Sequence, residues 1–104
     1  MARAPTIVSK PAHKVLKELT GEARPDLALP LALKDLIRLR LEAAEATIAA
    51  FEEQYGTDFA GFEEAWERGE IDAPYSYPVE RDYWEWEAAI TDKAKLESLQ
   101  NSLI

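Results

Sequence analysis

Ile37, Leu41, Ala44, Ile48, Phe51 and Tyr55 follow one another at steps of four, three, four, three and four residues. Such spacing returns each side chain to one face of an α-helix, whereas a strand turns its side chains over at every second residue. The near-heptad form of the stripe suits packing against another long helix. Leu33, Leu36, Leu39, Ala43 and Ala50 widen the apolar face, so the first half of this helix is expected to be covered on more than one side. Gly56 supplies the stop. The helix is predicted over Leu31–Tyr55, with residues 22–30, punctuated by Pro25 and Pro30, as a connection.

The flanking segments read as helical too. Ser9 and Pro11 suit the cap and first turn of a short helix that ends at Gly21 and turns Val15, Leu16 and Leu19 inward. Ahead of it, Thr6–Ser9 favours an extended piece within a basic arm of residues 1–10. Thr57 or Asp58 caps a helix over Phe59–Arg68, with Phe59, Phe62 and Trp66 on one face and Gly69 as its end. Ile71–Pro78 is expected to be an ordered loop held by Tyr75 and Tyr77. A last helix from Val79 onward carries Val79, Tyr83, Trp86 and Ile90, then Leu96, Leu99 and Leu103, with Thr91–Asp92 as a candidate break. The expected fold class is all-α: a small helical bundle or hairpin on a long central helix, with at most one short N-terminal strand. It is read as one domain over 1–104: the arm, a basic-to-apolar half (11–55) and an acidic, aromatic-rich half (56–104). The long helix should lie antiparallel to the last one, with the 59–68 helix bridging them. The excess of leucine over Leu31–Leu41 points to a homodimer.

Charge divides along the same line. Residues 1–41 hold eight of the twelve Lys and Arg against four acids, and residues 42–104 hold the other four against sixteen acids, for a net charge of −8. A basic front suits phosphates, and an acidic rear suits a basic protein. Cysteine is absent, which removes disulfides and thiolate metal sites. No apolar run nears the roughly 18 residues of a membrane span, and the first ten residues lack the core of a signal peptide. A soluble cytoplasmic protein is the expectation, with no membrane partner.

Catalytic patterns are scarce. His13 is the only histidine, expected in solvent, and cannot complete a multi-imidazole site. Glu42 with Glu45, and Glu64 with Glu67, share helix faces as a Mg²⁺ site requires, but so many acids in this half produce such spacings on any solvated face. The reading is a non-enzyme with no metal and no cofactor. Tyr83 and Trp86 belong to the core stripe. Trp84, about 100° further round the helix than Tyr83, either packs on its own Tyr75–Pro78 loop or is an exposed anchor for a partner, with Glu80, Glu85 and Glu87 as its acidic company.

Two resemblances follow from these residues. Phe51-Glu-Glu-Gln-Tyr55-Gly56, Phe59-x-x-Phe62-Glu-x-x-Trp66-x-x-Gly69 and Tyr77-x-x-Glu80-x-Asp82-Tyr83-x-x-Trp86-Glu87 together resemble small prokaryotic antitoxin-like proteins encoded beside toxin genes. That likeness covers about half the chain. It implies a partner protein that neutralises a toxin, here a basic one. In the first half, an extended piece, a short helix, a linker and a longer helix with basic residues near its start resemble the ribbon-helix-helix DNA-binding fold. By that likeness Thr6, Val8 and Lys10, or Ile7 and Ser9, face the major groove, Arg3 extends the arm, and Lys14 follows on the first helix. The pattern departs at Pro5, Pro25 and Pro30.

Overall fold

The computed structural model describes residues 8–103, which form four helices and no strand: α1 (Lys10–Thr20), α2 (Pro25–Tyr55), α3 (Phe59–Glu67) and α4 (Tyr77–Ser102). The protein is all-α. Of the strand expected at Thr6–Ser9, Thr6 and Ile7 lie outside the described residues, and Ser9 is the cap of α1, its Oγ accepting the Ala12 N–H at 3.3 Å. Gly21, Gly56 and Gly69 all take positive φ after helices α1, α2 and α3, the backbone form that glycine adopts without a Cβ clash. Among the described residues no helix is long and apolar enough to cross a membrane.

Four expectations are corrected. Residues 25–30 are not a connection but the first turns of α2, which begins at Pro25 and carries Pro30 inside it. Proline is preorganised for the first helical position, so Pro25 starts a helix instead of preventing one. Pro30 removes the N–H that would reach the Asp26 carbonyl, and its ring crowds that carbonyl, a cost confined to the first turns of the helix. Ala28 is completely buried there, and α1 packs against α2. Second, Val15 and Leu19 do not point inward: they are 54% and 75% exposed, and only Leu16 of that trio is half-buried. Third, α4 passes through Thr91–Asp92 without a break and begins at Tyr77, so Tyr77 opens a helix and does not tie down a loop. Fourth, His13 is half-buried, its Nε2–H donating to the Ala23 carbonyl at 2.7 Å across the α1–α2 turn. In the same turn the Glu22 carboxylate accepts the backbone N–H and the side-chain Nε–H of Arg24, both at 3.1 Å, and these bonds hold it below the usual carboxylate range.

α2 and α4 form an antiparallel hairpin. Tyr55 meets Asp82 and Phe51 meets Trp86, so residue numbers rise along one helix as they fall along the other. α3 crosses the closed end. Phe51, Phe62 and Trp86 are buried there, and Ile48, Tyr55, Phe59, Trp66, Val79 and Tyr83 pack around them. Asp58 fixes the entry to α3, its Oδ1 accepting the Gly61 N–H at 2.8 Å. Asp58→Ala is expected to lower stability by about 1 kcal/mol, the usual cost of a lost N-cap. A chemical-denaturation midpoint equal to that of the parent would contradict that role.

Candidate partner-binding surface

The side chains that leave the core at the closed end are acids and large rings. α3 turns Phe59, Phe62 and Trp66 toward α4, which places Glu63 and Glu67 at its border with α4. Tyr83 lies across that border, and its hydroxyl donates to Glu63 Oε2 at 2.9 Å. This bond to a carboxylate, with partial burial and the nearby charges of Glu63, Glu87 and Glu67, pushes the Tyr83 phenol up to about 12. Trp66 stands edge-on to Tyr75 at 5.9 Å and tilted against Tyr83 at 5.4 Å. Glu63, Trp66, Glu67, Glu80, Tyr83 and Trp84 enclose a shallow recess of about 270 Å³.

Trp84 is 64% exposed, whereas Trp86, two residues on, is completely buried. The helical turn of about 100° per residue makes the difference. Tyr77, seven residues before Trp84, lies on the same face and is 73% exposed, with the Arg81 guanidinium 5.8 Å from its ring centre.

Of the four residues expected to meet a partner, Trp84 and Glu80 share the recess. Glu87 stands near enough for its charge to act on Tyr83. Glu85 does not join them: it lines a separate groove between α2 and α4 and sits 3.8 Å from Arg81. Sequence reasoning missed Glu63 and read Glu67 only beside Glu64, as a candidate metal pair, so it did not find the α3 wall. The spacing of four between Glu63 and Glu67 was the available signal, but which helix they would face was not. Of the candidates for DNA, Lys10 and Lys14 are exposed on α1, Val8 is half-buried, and Arg3 and Thr6 lie outside the described residues.

Residues 42–90 hold fourteen of the twenty acids against Arg68 and Arg81 alone, so the antiparallel fold concentrates negative charge toward the closed end. A recess with carboxylates on its walls and indole and phenol rings between them suits an ammonium or guanidinium group, through charge-assisted hydrogen bonds and cation–π contact. Glu42, Glu45, Glu64 and Glu67 are exposed, and Glu42 and Glu64 pair with Arg38 and Arg68 at 3.2 and 3.3 Å. Among the described residues no three His, Asp or Glu side chains stand together as metal ligands. No family model matches the chain, and neither a curated protein nor a solved structure does.

Proposed function

We propose that this chain is a non-catalytic protein-binding module that receives a basic partner on the acidic, aromatic surface of α3 and α4. The observation that carries the reading is Trp84, an indole left 64% in water beside carboxylates when the core is complete without it. Exposed tryptophan is over-represented among the residues that dominate interface energies, and clustered charge of one sign speeds encounter with the opposite sign. A Lys or Arg side chain of the partner enters the recess between Glu63, Glu67 and Glu80. The antitoxin resemblance supplies the specific version: the partner is a basic toxin encoded by the neighbouring gene, and covering it neutralises it.

The test expresses the neighbouring gene alone and together with this chain. Growth arrest by the neighbour, relief by the pair and a stable complex are the expected results. A harmless neighbour that does not co-purify overturns the antitoxin version. Within such a complex, Trp84→Ala is expected to weaken binding by about 2 kcal/mol, near 30-fold, with the melting temperature unchanged. Unchanged affinity would remove this surface as the docking site.

Exposed Lys10, Lys14 and Lys17, spaced four and three apart along one face of α1, favour a second reading, contact with nucleic-acid phosphates. It predicts duplex binding that falls steeply with salt and is lost when residues 1–20 are removed.

A further inference from the structure

The protein exposes 7889 Å² of surface, whereas a compact monomer of 11.7 kDa exposes about 5,900 Å². Its radius of gyration is 20.1 Å, against about 13 Å for a compact chain of this length. Part of that surface lies along the open end of the hairpin, away from the aromatic core. At the open end of the hairpin, α2 and α4 keep only Leu41, Ala44 and Ala89 buried between them, while Leu33, Leu36 and Leu99 are each more than a third exposed. Between the two helices runs a groove of about 880 Å³. One stretch of its wall is leucine (Leu33, Leu36, Leu96, Leu99), and the other is alanine (Ala43, Ala44, Ala88, Ala89).

We infer that a second copy of this chain occupies the groove, two α2–α4 hairpins closing face to face into a four-helix bundle about a two-fold axis perpendicular to their length. The surface excess bounds the scale. An obligate homodimer needs about 1,000 Å² or more hidden on each copy, and the excess of about 2,000 Å² leaves room for that. Charge selects the occupant. The rim carries Arg40 and Lys95 against Glu85 and Asp92, balanced in sign, so it matches itself and offers little to the strongly basic partner that suits the closed end. Shape selects the direction. An antiparallel two-fold lays the leucines of one copy over the alanines of the other, large against small. By the register set by Tyr55–Asp82 and Phe51–Trp86, continued along the hairpin, Ala43 and Lys95 lie nearly level in the groove, and it is an axis placed there that brings the leucines over the alanines. Arg40 then stands beside Asp92 of the partner subunit. The homodimer read from the leucines of α2 alone thus acquires a second wall, the C-terminal half of α4.

Sedimentation equilibrium of the full chain is expected to give twice the 11.7 kDa chain mass. Leu36→Glu should sediment as a monomer with its helical circular dichroism largely kept. Should that variant fail to fold, a charge exchange decides: Arg40→Asp and Asp92→Arg each weaken the dimer by about tenfold or more, and the double variant recovers it. A monomeric parent chain, a dimer indifferent to Leu36→Glu, or a double variant no better than either single one overturns the arrangement. Binding of the basic partner by a monomeric parent chain would leave the closed-end surface standing and remove only the dimer.

Discussion

Trp86→Ala is expected to unfold the protein at ordinary temperature. Trp86 is completely buried and central to the aromatic cluster: Phe51 and Tyr55 stack on it at 5.5 and 5.8 Å, and Phe59 and Phe62 approach at 5.3 Å. Those rings come from α2 and α3, while Trp86 is on α4, so one side chain joins three helices. Truncating a buried tryptophan costs about 3–5 kcal/mol, and a domain of this size holds about 5–15 kcal/mol in all. Here the lower part of that range applies, because the described residues bury no large side chains besides Leu41, Phe51, Phe62 and Trp86 itself. Trp86→Phe separates two effects. The indole Nε1–H has no hydrogen-bond partner among the described residues, and a buried unpaired donor costs about 1–3 kcal/mol, so the phenyl ring loses packing but sheds that penalty. Circular dichroism melts should show Trp86→Phe close to the parent and Trp86→Ala without a cooperative transition. A cooperative transition kept by Trp86→Ala near the parent's melting temperature would mean that ring packing does not hold the closed end together.

The same residue shows what was legible in the chain. The stripe from Ile37 to Tyr55 predicts a buried face, and Leu41, Ala44 and Phe51 are buried with Ile48 and Tyr55 packed beside them. Helical period puts Trp86 and Trp84 on different faces, because two steps of about 100° carry the second nearly opposite the first. Gly21, Gly56 and Gly69 mark helix ends by a local property, their tolerance of positive φ. Local rules failed where two of them competed. Pro25 reads equally as a breaker or as a first-turn residue, and burial of Ala28 decided for the helix. What pattern could not supply was relative placement. Nothing in the spacing of Glu63 and Glu67 says that Trp84 of another helix stands across from them. Likewise, the leucines of α2 read as covered on more than one side, yet α4 covers one flank and leaves Leu33 and Leu36 on an open groove.

Above pH 10 the fold is expected to weaken through two tyrosines. Tyr55 donates to Asp82 Oδ2 at 2.6 Å, and burial together with that carboxylate pushes its phenol up to about 12. Tyr83, bonded to Glu63 and ringed by acids, is likewise raised to about 12. Below pH 10 both phenols keep their protons in the folded and the unfolded chain, so their contribution is fully present. Between pH 10 and 12 the unfolded chain releases these protons while the folded chain still holds them. Unfolding is favoured progressively, and the contribution is lost as pH passes the folded values. A fully shielded group loses about 1.4 kcal/mol per unit of separation; both rings are partly in water, so each loses less. Together they still draw on the margin that Trp86 supports, since both side chains pack against the buried cluster. Melting temperatures taken from pH 8 to 11.5 should fall more steeply for the parent than for Tyr55→Phe combined with Tyr83→Phe. The double variant starts lower at neutral pH, because two charge-assisted hydrogen bonds are gone, but it is flatter above pH 10. Lysine deprotonation is common to both chains and cancels in the comparison. Parallel slopes would show that the phenol–carboxylate pairs linking α4 to α2 and α3 do not bear on stability.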